Sequence, residues 1–144
     1  MEKDLQTAAE YLKKNGCTCV LCKDETLYSS YGKGVKPLLD FIKSDISFER
    51  FSAADKVVGK AAALLYVLLG VKSVYADVLS ERAKEVFEEN DISVSFEKLV
   101  PNIQSKSGIC PMEQTVEQVS SPEEALSVIQ NTLERLMQNK RQNG

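Results

Sequence analysis

Asp55, Lys56, Gly59 and Lys60 are the residues whose types and spacing most invite chemistry. An acid, two lysines and a glycine gather where a long apolar run, Ala61 to Leu69, begins. On a helix they share one side. A helix N-terminus offers free N–H groups and partial positive charge, so it binds anions. The lysines would strengthen that, and Gly59 lets a ligand or a backbone come close. A plainer account fits the same residues: Asp55 caps the helix, the lysines are solvated, and Gly59 is a helix–helix contact.

A second constellation is Gly108-Ile-Cys-Pro-Met-Glu113. With Pro111 as the first helical residue, Cys110 is the N-cap, where the helix dipole and free amides stabilise a thiolate. Glu113 then sits at the third helical position and faces back towards it. Cys110 is the best candidate nucleophile, with Asp55 or Glu113 as acid/base. The competing account is a turn fixed by Gly and Pro. The loop Gly32-Lys-Gly-Val-Lys-Pro37 brings Lys33 and Lys36. It resembles a phosphate-binding loop in composition but matches neither the P-loop nor the dinucleotide-binding glycine pattern, and a structural turn accounts for it too.

Cys17, Cys19 and Cys22, with Cys110, supply four thiols, enough in number for zinc or an iron–sulfur cluster. In a strand, however, Cys17 and Cys19 face one side and Cys22 the other. Cysteines in an apolar strand are ordinarily small core residues. No metal site, no cofactor and no disulfide is expected.

Positioning these residues falls to the stretch Phe51 to Gly70, which reads as one helix. Ser52 is its N-cap, Asp55 completes a capping box, and Gly70 stops it in a left-handed conformation. Ala54, Val57, Val58, Ala61, Ala62, Leu64, Leu65, Leu68 and Leu69 span roughly 180° to 340° around its axis, the width of a helix buried on most sides.

Around it, residues 3–15 read as an amphipathic helix with Leu5, Ala8, Ala9 and Leu12 inward, ended by Asn15-Gly16. Cys17 to Lys23 and Thr26 to Tyr31 form a hairpin over Lys23-Asp-Glu-Thr26. Pro37 opens a short helix through Lys43, and Ser44 to Phe51 is irregular. Val71 to Val78 is a strand, Ser80 caps a helix through Asn90, and Asp91 to Phe96 is another strand. Pro101 to Gly108 is a polar loop, and Pro111 starts a short helix. The last helix begins at Ser121-Pro-Glu-Glu124 and runs to about Gln138. Residues 1–138 are expected to form one domain, with 139–144 a frayed tail. This order implies an α/β fold, one mixed sheet with helices on both faces.

Composition narrows the function. The chain has 144 residues, a net charge of −3 and ordinary apolar and charged fractions. Neither nucleic acid nor a membrane is expected as partner. The N-terminus lacks the apolar region of a signal peptide, so the cytoplasm is the expected location. There is no histidine, which excludes a Ser-His-Asp triad, a Cys-His dyad and histidine metal ligands.

The element order resembles the cytidine-deaminase-like fold. More closely, the chain looks like an uncharacterised prokaryotic family of unknown function placed in that fold. Gly34-Val-Lys-Pro-Leu-Leu39, Ala54-Asp-Lys-Val-Val-Gly-Lys-Ala-Ala-Ala63 and Cys110-Pro-Met-Glu113 carry the likeness, which covers roughly residues 3–138. The resemblance implies a three-layer α/β/α sandwich and a homo-oligomer. Zinc deaminases hold their metal with a His or Cys two residues before a Glu at the start of the central helix, and with Pro-Cys-x-x-Cys at the start of the next. Here the central helix begins Ala53-Ala-Asp-Lys56 and the next Leu79-Ser-Glu-Arg82, so a zinc-dependent deaminase is not expected. The resemblance does place Asp55 and Lys56 where deaminases keep their first ligand and catalytic Glu. The expected function is a zinc-less deaminase-like domain binding a small anionic or nucleotide-like ligand at the N-terminus of the central helix, through Lys56, Gly59, Lys60, Lys33 and Lys36. The alternative is a non-catalytic metabolite sensor or a structural oligomeric protein.

Overall fold

Leu5, Ala8, Ala9 and Leu12 recur at helical spacing and wind into helix α1 (Lys3–Asn15), which Gly16 ends at φ 66°. In this computed structural model, which describes residues 2–105 and 108–143, strands β1 (Cys19–Lys23) and β2 (Thr26–Ser30) follow as an antiparallel hairpin. Pro37 lies in the first turn of helix α2 (Lys36–Lys43). These elements fall where the sequence puts them.

The stretch expected to be one long helix does not. Ser52–Val58 is a strand, β3, and helix α3 covers only Lys60–Leu69. Gly59 is the N-cap position, and Gly70 ends the helix at φ 79°. Ser52 is therefore no cap: its hydroxyl bonds the Glu2 carboxylate, as does that of Ser73 at 2.8 Å. Asp55 completes no capping box. The correspondence of Asp55 and Lys56 with a deaminase ligand and catalytic Glu rested on a helix start, and falls with it. The physical reason is tertiary. β3 pairs with β1 on one side and with the next strand on the other, and both its faces are covered, so it shows no alternation of polar and apolar residues. Its alanines favour a helix intrinsically, but packing overrides propensity.

Strand β4 (Ser73–Ser80) runs parallel to β3 after α3, and β5 (Ser93–Val100) runs parallel to β4 after helix α4 (Glu81–Glu89). Ser80 caps α4 by accepting the Ala83 N–H at 3.1 Å. The sheet order is β2-β1-β3-β4-β5, with β1 antiparallel to both neighbours. Beyond it, the segment expected to be a loop holds two short paired strands, β6 (Gln104–Ser105) and β7 (Gly108–Ile109). The two residues between them lie outside the described residues. Helix α5 (Pro111–Thr115) is the short helix expected at Pro111, and α6 (Pro122–Asn143) runs beyond Gln138 into the segment expected to fray. No helix among the described residues is long and apolar enough to cross a membrane.

Two cores result. On one side Leu5, Ala8 and Leu12 of α1 meet Val20, Cys22, Ala54 and Tyr75. On the other, Leu21, Ala53, Val74 and Ala76 meet the remaining helices, including Leu65, Phe87 and Ile129. Cys17 belongs to the α1 core with Cys22, and Cys19 to the other. This corrects the expected pairing of Cys17 with Cys19, because the strand begins only at Cys19 and the alternation does not extend back to Cys17.

The strand assignment has a measurable consequence. Val58 is fully buried whereas Val57 is 46% exposed. Val58→Ala removes two buried methyl-sized groups and lowers unfolding free energy by about 2 kcal/mol. Val57→Ala changes it by less than about 0.5 kcal/mol. Urea denaturation of the two variants checks this. Equal losses would restore the helix.

Candidate functional site

The carboxyl end of β3 leaves the core beside the N-terminus of α3. There a cleft of about 300 Å³ opens. Ligands in open α/β sheets bind outside the strand ends, where neighbouring connections diverge, and this cleft lies at the β1–β3 junction. Its walls include Thr18, Lys33, Asp55, Lys56, Gly59, Ile103, Cys110, Met112 and Glu113. The structure thus brings together most of the residues selected from sequence. Lys36 lies exposed on the first turn of α2 and Lys60 lies across the segment; neither lines the cleft. Lys60 instead donates through Nζ to the Glu117 carbonyl at 3.2 Å.

Strand geometry separates two residues expected to share a helical arc. Asp55 points with Ala53 towards α3, where its carboxylate meets Tyr66. Alternation turns Lys56 the other way, near enough to Cys17 for its charge to act on that thiol. Lys56 still forms part of the cleft wall.

Asp55 is held by neutral donors. The Tyr66 hydroxyl donates to Oδ2 at 2.7 Å and the Val57 N–H to Oδ1 at 3.3 Å. The Tyr66 oxygen lies 3.2 Å from the Cys19 Sγ. Since the phenol's one proton is directed at Asp55, the thiol is the donor in that contact. Tyr66 and Cys19 are both buried. No salt bridge reaches Asp55 among the described residues. Burial raises its pKa to about 7; the hydrogen bonds from Tyr66, Val57 and Lys56 oppose the rise, and the Asp77 charge adds to it. Burial likewise lifts the Tyr66 phenol and the Cys19 thiol well above their ordinary values.

Glu113 explains Gly59. Ala61 N–H, at the start of α3, donates to its Oε2 at 3.3 Å. A Cβ on Gly59 would stand 1.4 Å from Oε1 and 2.8 Å from Ile103 Cγ1. A side chain here would push the Glu113 carboxylate out of this place, while no special backbone angle calls for glycine. The anion at the N-terminus of the central helix is therefore the protein's own carboxylate. Burial raises the Glu113 pKa, while the Ala61 and Lys60 amides and the Lys60 and Arg82 charges hold it down. The Glu113 carboxylate is directed at the start of α3, and the Cys110 thiol makes no capping bond to α5.

Sequence reasoning missed Thr18, Tyr66, Ile103 and Met112. Thr18 ties the glycine loop to the strand, donating through its hydroxyl to the Gly32 carbonyl at 2.6 Å. Tyr66 carried a signal: it is the one polar side chain in Ala61 to Leu69, and a buried phenol needs a partner. Nothing local marked Ile103 or Met112. Among the described residues no three cysteine, aspartate or glutamate side chains converge as a metal would need.

The pH dependence of stability reports on Asp55. Unfolded, it loses its proton near 3.8; folded, it keeps it to about 7. Between these values the folded state binds more protons, so its stability falls as pH rises. The stability of wild type minus that of Asp55→Asn is expected to decline from pH 4 to pH 7 and to level off above. A flat difference in urea titrations would refute the shift.

The family model described as TM1506, Domain of unknown function (DUF1893), matches residues 7–133, and the chain belongs to this family. A crystal structure of a DUF1893 family protein (TM1506) from Thermotoga maritima is similar, with a TM-score of 0.83 and 26% sequence identity. The match covers 91% of each chain. No curated protein matches this chain.

Proposed function

We propose that this DUF1893 family member is a zinc-less, cytidine-deaminase-like three-layer domain. Its cleft beside the N-terminus of α3 takes a small nucleotide-like ligand. The observation that carries this reading is the cleft itself: about 300 Å³, walled by Val35, Val57, Ala61, Ala62, Ile103 and Met112, with Asp55, Glu113, Cys110, Lys33 and Lys56 at the same opening. Ligand sites are typically apolar concavities with a few convergent polar groups. The apolar walls suit a ring, and the lysines suit a phosphate or carboxylate. The α3 amides do not take the anion, because Glu113 already occupies them.

The deaminase-like fold is supported by the order β2-β1-β3-β4-β5 and by cores on both faces of the sheet. With β3 in place, the helix after the hairpin begins Lys36-Pro37 and the next begins Lys60-Ala61. Neither start carries the zinc-binding pattern, so the fold's familiar chemistry is not carried over.

Thermal-shift measurements with nucleoside monophosphates and inorganic phosphate test the binding reading. Nucleotides are expected to stabilise the protein, and Lys33→Ala and Lys56→Ala each to reduce the shift. No stabilisation by any nucleotide, or undiminished shifts in both variants, would count against it.

A catalytic version is favoured by one further observation: Cys110 stands on the cleft wall with two carboxyls. In it Cys110 is the nucleophile and Asp55 or Glu113 the acid/base. Iodoacetamide is then expected to modify Cys110 faster than a free model thiol at pH 7, and bound nucleotide to protect it. A rate no faster than the model thiol's leaves the non-catalytic, metabolite-sensing alternative.

A further inference from the structure

Resting on the cleft reading, we infer that the inner end of the ligand is a nitrogen-bearing cation or donor head, an amine or amidine type, received by Asp55 and Glu113, and that Tyr66 is the positioning residue for Asp55. The argument is one of charge balance inside an apolar cavity.

Asp55 faces the cleft with no cation of the protein within ion-pair distance among the described residues. Its partners are a phenol and backbone amides. These orient the carboxylate without neutralising it. A desolvated carboxylate is costly unless it is paired. Lys33 and Lys56 border the cleft, but neither forms an ion pair with Asp55 among the described residues. Lys56 lies on the opposite face of β3, and Lys60 is bonded to the Glu117 carbonyl. Lys33 is exposed on the glycine loop. From β4, Asp77 adds negative charge, and from β1, Cys19 offers only a thiol behind Tyr66.

Glu113 approaches from α5 and brings a second carboxyl to the same cleft. Lys60 and Arg82 act on it from outside the cleft, without forming an ion pair among the described residues. A ligand head with N–H donors would complete both carboxyls, while its apolar body would fill the space between Val57, Ala62 and Met112. An anionic head would face two acids and find the α3 amides taken. The outer end of the ligand is free to be anionic towards Lys33, so a molecule with a nitrogen head and an acidic tail satisfies both ends.

Tyr66 acts through Asp55. Its hydroxyl fixes Oδ2, and Cys19 behind it fixes the hydroxyl, so the outward oxygen is presented in one orientation.

Three isosteric probes separate the possibilities: benzamidine, benzamide and benzoate, followed by NMR shift titration of the full chain. Benzamidine is expected to bind at least tenfold tighter than benzoate, with benzamide between. Its affinity should rise with pH as Asp55 ionises near 7 and then level off, because the ligand stays charged. Asp55→Asn should cost about tenfold and flatten the profile. Glu113→Gln should weaken binding less. Tyr66→Phe should weaken binding and move the pH midpoint upward, since the hydroxyl stabilises the ionised carboxylate. A purely structural tyrosine would leave that midpoint in place. Benzamide or benzoate binding at least as tightly as benzamidine overturns the inference and leaves the cleft reading intact. So does benzamidine affinity unchanged in both Asp55→Asn and Glu113→Gln. Absence of any shift from all three probes, with the protein folded by circular dichroism, overturns both.

Discussion

Ala53 and Ala54 have no exposed surface, and they face opposite cores. That places β3 where two helical layers come closest. A strand paired on both edges and covered on both faces tolerates only small side chains there, and the first polar residue that follows must be accounted for. That residue is Asp55, on the same face as Ala53 and against α3. The Tyr66 hydroxyl meets it at 2.7 Å, from a side chain with no exposed surface. This one hydrogen bond crosses from helix to strand at the point where the core ends and the cleft begins. It ties α3 to β3 and gives Asp55 a partner at the edge of the cleft. Cys19 completes the chain from β1, so three elements meet at one carboxylate.

The second constraint is spatial. Gly59 leaves the space that the Glu113 carboxylate occupies. The late segment lies across the sheet end here, and Ile103, Cys110 and Met112 form a wall of the cleft. A helix N-terminus that would otherwise attract an external anion has an internal one, at a modest 3.3 Å from the Ala61 amide. The cost of burying that carboxyl shows in its raised pKa. The same contact that closes the fold therefore leaves a second acid at the opening.

Much of the architecture was legible because it is punctuated. Gly16, Pro37, Ser80 and Pro122 stand at element ends, and α1, α4 and α6 carry apolar stripes at helical spacing. β3 was illegible for a physical reason. A strand buried on both faces loses the period-two signal, and Ala53 and Ala54 read as helix formers continuous with Ala61 to Ala63. The cues that resisted were Val57 and Val58, β-branched, followed by Gly59. The grouping of Asp55, Lys56, Gly59 and Lys60 on one helix rested on a reason that fails. Asp55, Gly59, Cys110 and Glu113 do meet, but at a strand end, not along a helical arc. Lys36 and Lys60, chosen on that arc or by loop composition, point elsewhere. Ile103 and Met112 owe their place to the path of a segment with no local pattern, and no reading of residue types reaches that.

The distribution of charge around the cleft follows from the same accident of periodicity. On a helix, Asp55, Lys56 and Lys60 would have neutralised one another within a single patch. On a strand followed by a helix they are dispersed. Alternation turns Lys56 off the Asp55 face, although it still borders the cleft, and Lys60 bonds the Glu117 carbonyl. Asp55 is left with partners that donate hydrogen bonds but carry no charge. A proton balances Asp55 at low pH, so its ionisation and the stability of the fold are linked properties of one structure.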